Sequence, residues 1–319
     1  LTVTGDVDIS GTLTCNASAV SFGSLKCQGS STLNATSGTT TITSENSSGQ
    51  AIVMNNTMTF NNNDGTFLIT TPAATNIYFK SDNALHHLTI NHSSADIVLA
   101  GNPDDLKCEG DLTITAGILR STTSGATLEV DGDASVTGTL NWSGTSGGAV
   151  ELGSLYINNG GTYNATSGTT TITNLNSSSG NRSFRLHTSG TLTHNNGKFL
   201  FNRNDDQYIG STPSDATITF YDLEVSSSSS AAKQIRDMDL TVLNNLTVGA
   251  NCNFTNEQSG DIITVLGQSI LNGKIDVNAA GGSHHLGAMT INSGGEFKVG
   301  STTNYVTSLR NVGGTVTQV

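Results

Sequence analysis

The sequence has few of the residues from which most globular cores and nucleic-acid surfaces are built. Only 3 of its 319 residues are proline and one is tryptophan, aromatic residues make up 5% and charged residues 12%. The chain has 13 lysines and arginines and 25 aspartates and glutamates, which gives a net charge of −12. Because nucleic-acid binding requires a basic surface, this balance argues against a nucleic-acid partner. No run of 18 apolar residues occurs, so we expect no membrane insertion.

The apolar residues that are present alternate with polar ones. Examples are Leu112-Thr-Ile114, Leu128-Glu-Val130 and Leu246-Thr-Val248. A period of two with β-branched residues is typical of strands, and no stretch shows the 3.6-residue spacing of an amphipathic helix. Disordered chains share the low hydrophobic content, which is 34% here, but they normally carry more charge and proline. The sequence therefore predicts an all-β protein.

A ten-residue segment occurs twice without change. NATSGTTTIT forms Asn34–Thr43 and again Asn164–Thr173, and a Gly-Ser-Leu segment precedes each copy. An eroded third copy ends in Lys298–Thr307. A chain that copies itself at a long period indicates a repeat architecture, and the copies serve as a small internal alignment.

The long period is about 130 residues. Leu128–Leu140 matches both Leu1–Leu13 and Ile263–Ile275, so unit boundaries fall near residues 128 and 263. We expect one continuous rod, cut from a longer chain at both ends, with two full repeat units and part of a third: residues 1–127, 128–262 and 263–319.

A shorter pattern runs within each unit: a turn residue, two alternating apolar residues, a glycine-containing corner and a further apolar residue. Neighbouring members are about 18 to 23 residues apart, the length of one coil of a β-solenoid. They begin at these residues: Gly5, Gly23, Gly110, Gly132, Gly153, Asn244, Gly267 and Gly287. The predicted fold is an elongated β-solenoid with coils of about 18–24 residues. The absence of hexapeptide repeats favours a right-handed parallel β-helix.

Two other β architectures fit parts of the pattern. Tandem β-sandwiches are also rich in serine and threonine, but they usually need larger core residues and linkers. A shaft of three intertwined chains is the other alternative. Both stay open from the sequence, although the solenoid accounts for the coil period.

The four cysteines invite a disulfide or metal interpretation. The internal alignment places Cys27 opposite Ile157, Cys108 opposite Val242, and Cys252 opposite Ile118. Because each stands where another copy has an apolar residue, we interpret the cysteines as small buried hydrophobes. A bridge between Cys15 and Cys27 is the alternative.

No repeated ligand set indicates a metal or a cofactor. Adjacent strand residues point to opposite faces, so His86-His87 and His284-His285 do not form ligand pairs. Asp131-Gly-Asp133, Asp104-Asp105 and Asp205-Asp206 could bind calcium, but the first of these becomes Thr4-Gly5-Asp6 and Leu266-Gly267-Gln268 in the other copies, so no ligand set is maintained. We expect no metal site and no cofactor.

The least repetitive stretches are residues 50–105 and 181–206. β-Solenoid enzymes that cleave polysaccharides use paired carboxylates on one exposed face, and such a site must break the repeat. We find no Ser-His-Asp spacing, nucleophile elbow or phosphate loop, and we expect no enzymatic activity. A glycan or partner contact is conceivable in the densest charged region, which contains Arg182, Arg185, Arg203, Asp205 and Asp206.

The coil pattern, clearest at Gly153-Ser-Leu-Tyr-Ile-Asn-Asn-Gly-Gly161, and the Ser-Gly-Thr-Thr-Thr-Ile-Thr tracts resemble the β-solenoid segments of bacteriophage tail fibres and giant bacterial surface adhesins. This resemblance implies a non-enzymatic structural fibre segment, extracellular or on a virion, that projects or displays a binding element. Its partners would be neighbouring copies of the chain, other fibre or virion proteins, or cell-surface glycans. A bacterial adhesin or carbohydrate-binding solenoid is the alternative, and a polysaccharide-degrading enzyme is a third hypothesis.

Overall fold

A computed structural model describes most of the chain and consists almost entirely of strands. It is 60% strand and 1% helix. Within the described residues the helical part is one short 3-10 turn, Ser143–Thr145. The described residues are 1–55, 57–79, 83–100, 105–176, 182–213, 216–256, 258, 260–277, 282–300 and 303–318, without the side chains of 93–95.

The chain forms two compact units. The first consists of Leu1–Leu152 with Gly161–Thr166, and the second of Gly153–Gly160 with Ser167–Val319. The first unit contains these strands: β1 (Thr2–Ile9), β2 (Thr12–Thr14), β3 (Val20–Cys27), β4 (Thr32–Asn34), β5 (Thr39–Ile42), β6 (Gln50–Met54), β7 (Thr59–Asn61), β8 (Thr66–Ile69), β9 (Thr75–Phe79), β10 (His87–Leu99), β11 (Leu106–Cys108), β12 (Leu112–Ser121), β13 (Leu128–Val136), β14 (Thr139–Asn141), the start of β15 (Val150–Ile157), and β16 (Thr162–Asn164).

The second unit begins within β15 and contains the remaining strands: β17 (Thr169–Ile172), β18 (Arg182–His187), β19 (Thr191–Thr193), β20 (Lys198–Phe201), β21 (Gln207–Thr212), β22 (Ala216–Phe220), β23 (Asp222–Val225), β24 (Ala231–Arg236), β25 (Met238–Val242), β26 (Asn245–Val248), β27 (Cys252–Asn256), β28 (Ile263–Val265), β29 (Gln268–Leu271), β30 (Lys274–Val277), β31 (Ser283–His285), β32 (Ala288–Ile291), β33 (Glu296–Val299), β34 (Thr303–Tyr305), β35 (Ser308–Asn311) and β36 (Thr315–Gln318).

Strands pair in parallel with the strands of the next coil. In the first unit β1 pairs with β3, β5 with β8 and β10 with β12. In the second, β18 pairs with β21, β21 with β24 and β24 with β27. Parallel pairing between successive coils is the defining feature of a β-solenoid, which here has about 13 turns. The predicted fold class is confirmed.

Most coils have about the predicted length, and one in each unit is longer. The coil that runs from Leu88 to its partner Leu112 fits the prediction, whereas the coil from Ile42 to its partner Ile69 exceeds it. In the second unit the coil from Leu155 to its partner Phe184 is also too long. The extra residues do not lengthen the strands. They lie in the segments that directly follow the two copies of NATSGTTTIT.

The inward face of each coil forms the core. Alternation is regular: in β8, Phe67 and Ile69 are buried and their neighbours are partly exposed. Register places apolar residues above one another, as with Cys27 beside Met54. The second unit also contains an edge-to-face cluster of buried aromatic rings, a favourable arrangement: Phe184, Phe199, Phe201 and Phe220.

The ten-residue repeat is a strand, a corner and a second strand. Within it Ala35, Thr36, Thr40 and Ile42 are all buried, and the second copy buries the same four types. Thr36 Oγ1 accepts a hydrogen bond from the backbone N–H of Gly38, which satisfies a polar group inside the corner. The identity of the two copies is therefore explained in part by packing.

Glycine at the start of a coil permits close approach to the preceding coil. A Cβ added at Gly23 would lie 2.6 Å from the carbonyl oxygen of Gly5. At Gly267 it would lie 2.0 Å from the carbonyl oxygen of Asn244. Because backbone atoms cannot yield as flexible side chains do, a side chain there would force the coils apart. Glycine at these two positions is thus required by stacking.

We predict that Gly23→Ala lowers the free energy of unfolding by about 1–3 kcal/mol, the usual cost of overpacking. Urea denaturation followed by circular dichroism measures it. Gly5→Ala is the matched control, because a Cβ at Gly5 has no atom within 4 Å. Equal stability of the two variants would contradict the stacking explanation.

Candidate functional site

The second long coil carries an unusual outer surface on the strands that follow its ten-residue repeat. In the first unit the loop is closed by the backbone N–H of Asn46, which donates to Gln50 O at 2.9 Å. In the second unit Asn176 N–H donates to Arg182 O at 3.0 Å. Asn46 and Asn176 occupy the same place after the ten-residue repeat. The two closing hydrogen bonds therefore begin at equivalent positions, but the strands after them carry different side chains.

Five residues on β15, β18, β21 and β24 form what we call the arginine face: Tyr156, Arg182, Arg185, Tyr208 and Arg236. The Arg185 guanidinium carbon lies 4.3 Å from the centre of the Tyr156 ring. That of Arg236 lies 4.1 Å from the centre of the Tyr208 ring. Such stacking is attractive and fixes the plane of the guanidinium group.

Strand register brings these side chains together. Tyr156 pairs with Arg185, Arg185 with Gly210, and Gly210 with Arg236. Gly210 has no side chain, and the Arg182 side chain occupies the space over it, 3.1 Å from a Cβ built there. Arg182 then forms an ion pair with Asp237. Three guanidinium groups therefore share one outer surface of the second unit.

A groove of about 460 Å³ lies next to Tyr208. Its walls include Arg203, Asp205, Asp206 and Ser230. Arg203 donates to Asp206 O at 3.0 Å and forms an ion pair with Asp205 at 3.2 Å. The Asp205 side chain is 76% exposed, so its carboxylate remains accessible to a ligand.

Two buried side chains hold the turn that carries these groove residues. Lys233 is fully buried, and its Nζ donates to Arg203 O at 2.6 Å and to Asp205 O at 2.8 Å. Gln207 is also buried, and its side-chain oxygen accepts from the backbone N–H of Arg203 at 3.1 Å. Burial lowers the pKa of Lys233 to about 8. The turn is thus fixed in place by buried polar contacts.

The structure brings together part of the predicted contact region. Arg203, Asp205 and Asp206 line the groove, whereas Arg182 and Arg185 lie on β18 as part of the arginine face. Sequence reasoning missed Tyr156, Tyr208 and Arg236. One signal was available, since four of the six arginines in the chain fall between residues 182 and 236.

The cysteines are buried free thiols. Burial raises the pKa of Cys27 and that of Cys108 to about 12. A thiol with so high a pKa is a poor nucleophile and a poor metal ligand. The interpretation of the cysteines as small hydrophobes is confirmed, and Cys15 and Cys27 do not form a bridge.

The two histidine pairs behave differently from each other. His284 is buried and accepts from the Ile263 N–H at 3.1 Å, while the His285 ring stacks on Tyr305. These two side chains take opposite faces, as predicted. The expectation that the side chains of His86 and His87 point to opposite faces was wrong, because the centres of their rings are 4.3 Å apart. His86 precedes β10 and lies in a bend, where strand alternation does not apply.

The predicted calcium candidates have local partners. Asp105 accepts from the Thr127 hydroxyl at 2.6 Å, and Asp131 lies 3.8 Å from Lys107 Nζ. Asp104 lies outside the described residues. In the part of the chain that the structure describes, no three His, Cys, Asp or Glu side chains are placed to hold a metal ion.

A second groove, of about 270 Å³, lies in the first unit. Its charged residues include Asp105, Lys107 and Glu129, and Lys107 forms an ion pair with Glu129. Burial raises the pKa of the adjacent Asp131 carboxyl above its ordinary value. Lys107 pairs with Glu129 and lies 3.8 Å from Asp131, so its charge offsets part of the negative charge of these carboxylates.

No helix among the described residues is long and apolar enough to cross a membrane. Compared with known proteins, the chain matches no family model, and no curated protein or solved structure shows significant similarity to it. The function must therefore be argued from the chain itself.

We predict that Lys233→Met changes how stability depends on pH. Because the folded-state pKa is below the ordinary 10.5, the unfolded chain binds more protons above pH 8, and wild-type stability rises with pH there. The free energy of unfolding of the wild type relative to Lys233→Met should increase by about 1.4 kcal/mol from pH 7 to pH 9. Urea titrations at both pH values measure it.

Cys252→Ala is the control for Lys233, because it removes the thiol that interacts electrostatically with Lys233 and leaves the lysine buried. This variant should keep the rise in stability. A difference between Lys233→Met and wild type that stays constant over pH would contradict the prediction.

Burial, together with His285, lowers the pKa of His284. Below about pH 6.5 the unfolded chain therefore gains a proton that the folded chain resists, and stability should fall with acidification. His284→Gln should weaken this acid sensitivity, whereas the exposed His285→Gln should retain it. Denaturant midpoints at pH 7.5 and pH 5 test the prediction, and identical acid sensitivity in wild type and His284→Gln would contradict it.

Proposed function

We propose that the chain is a structural repeat segment of an extracellular or virion fibre or appendage, a rigid rod that projects or displays a binding element. The observation that carries the proposal is the pairing of each coil with the next by continuous parallel hydrogen bonds. One chain closes its own core in the coils of each unit, as in Ile42 beside Ile69 and Leu223 beside Leu246. A stack of this kind is extended by adding coils.

Outward side chains add further links along the stacking direction. Lys274 lies 3.8 Å from Glu296, and Lys298 lies 2.9 Å from Asp276 on the neighbouring strand. Asn61 donates to Asn34 at 2.6 Å, and Asn34 donates to Thr14 at 2.9 Å. These contacts join successive coils, which supports the proposal that the stack is stiff.

A bacterial surface adhesin or carbohydrate-binding solenoid is the second candidate function. The arginine face favours it, because this surface is not explained by coil stacking. The enzyme hypothesis is weaker, since Glu129 and Asp131 at the second groove are paired with Lys107. Incubation with neutral and acidic polysaccharides should yield no new reducing ends, and appearance of product would overturn the non-enzymatic proposal.

Immunogold electron microscopy tests the fibre proposal directly. Antibodies against the chain should label filaments or spikes on the surface of the source cells or virions, because a projecting segment is exposed to solvent. Preimmune serum is the control. Labelling confined to the cell interior would overturn the proposal.

A further inference from the structure

We propose that the arginine face binds an acidic glycan, a polysaccharide whose sugars carry carboxylate or sulfate groups. This inference goes beyond the fibre role and does not depend on it, because binding needs only the second unit's surface. It develops the carbohydrate-binding alternative by naming the class of ligand. Four observations carry it: local charge, guanidinium geometry, spacing, and departure from the internal repeat.

Positive charge is concentrated here in an otherwise acidic chain. The net charge is −12, yet Arg182, Arg185 and Arg236 share one surface and Arg203 lines the adjoining groove. Ion pairs of this region include those of Arg182 with Asp237 and of Arg203 with Asp205. Arg185 forms no ion pair among the described residues, so its charge is available to an anion.

The guanidinium groups are held in position before any ligand arrives. Arg185 lies on the Tyr156 ring, and its terminal nitrogen donates to Asn158 Oδ1 at 3.0 Å. Tyr156 is itself fixed, because its hydroxyl donates to Arg182 O at 3.1 Å. A planar guanidinium fork with a fixed plane matches the two oxygens of a carboxylate or sulfate. Pre-organisation lowers the entropic cost of binding.

The spacing suits a polymer more than a single small anion. Gly210 separates Arg185 from Arg236 in the strand register, so these residues are two strands apart. Two strand spacings amount to about 10 Å. An extended sugar chain laid along the stacking direction can therefore present successive acidic groups to Arg185 and Arg236.

The surroundings favour a glycan over a nucleic acid. Asp205, Asp206 and Ser230 line the adjoining groove, and Asp237 lies beside Arg182. Carboxylates accept hydrogen bonds from the several hydroxyls that each sugar of a polysaccharide carries, and a serine hydroxyl can accept or donate them, whereas a nucleotide within a strand offers at most one sugar hydroxyl. A polymer with hydroxyls between its acidic groups fits this mixture of charges.

The arginine face is specific to the second unit. Strand register in the first unit is the same, including a shift after the first residue of β6 that is matched in β18. Strand register and the internal alignment identify the five corresponding positions in the first unit. None of the five holds an arginine; they are occupied by Lys26, Gln50, Val53, Asn76 and Ala100. The first unit folds with the same register without these arginines, so coil stacking does not require them. The substitutions therefore indicate a role outside the fold.

The test measures binding of the full chain to three immobilised polysaccharides by biolayer interferometry. Polygalacturonate supplies carboxylates, dextran sulfate supplies sulfates, and dextran is neutral. We expect binding to one or both acidic polymers, weaker binding at high salt, and no binding to dextran. Arg185→Ala should weaken the affinity about tenfold or more, the effect of losing a charge-assisted hydrogen bond. Whichever acidic polymer binds identifies the acidic group.

Lys26→Ala is the matched control, because it removes one positive charge at the place in the first unit that corresponds to Tyr156. It should leave binding unchanged. Circular dichroism checks folding, and Arg185→Lys, which keeps the charge but loses the planar fork, replaces Arg185→Ala if that variant does not fold. Equal binding to dextran, no binding to either acidic polymer, or equal losses in Lys26→Ala and the Arg185 variant would overturn the proposal.

Discussion

Parallel hydrogen bonding between each coil and the next is the constraint on which the rest of the structure depends. It requires every coil to meet its neighbour at the strand spacing, so bulk is excluded where backbones approach closely, as at Gly23 and Gly267. It also requires that residues in excess of a regular coil lie in the loops between strands and not within the paired strands. The segment after Ile42 satisfies this requirement: it lengthens its coil while β5 and β8 pair in unbroken register, and a register shift follows it at the start of β6.

The same constraint governs the outer surface. Residues in register lie within about 5 Å of each other, so like charges in adjacent coils would repel. The structure alternates sign instead, with Lys274 beside Glu296 and Asp276 beside Lys298. Where charge is absent, amides and hydroxyls form ladders, as with Asn292 donating to Asn272 at 2.8 Å. At these positions stacking places opposite charges side by side, whereas on the arginine face Arg185 and Arg236 belong to one ladder.

Much of this fold was predictable because its determinants are local. Alternation in segments such as Leu112-Thr-Ile114 specifies strands, and the glycine or asparagine at the start of each coil specifies the stacking period. The internal copies even identified Cys27 as a hydrophobe, since Ile157 stands at the same place. The histidine pair His86-His87 was mispredicted because a local bend replaces the strand geometry that the argument assumed.

The candidate site was less predictable because register, not sequence proximity, assembles it. Tyr156 and Arg236 are far apart in the sequence but belong to one ladder through Arg185 and Gly210. Lys233 lies on the same buried face of β24 as Ala231 and Ile235, so the strand pattern alone shows that it points inward. The carbonyl groups that accept hydrogen bonds from its ammonium group, and so make its burial tolerable, belong to a turn in the preceding coil. Once register is known, the repeat itself becomes the test of function. The first unit stacks without the arginine face, so stacking does not account for these side chains.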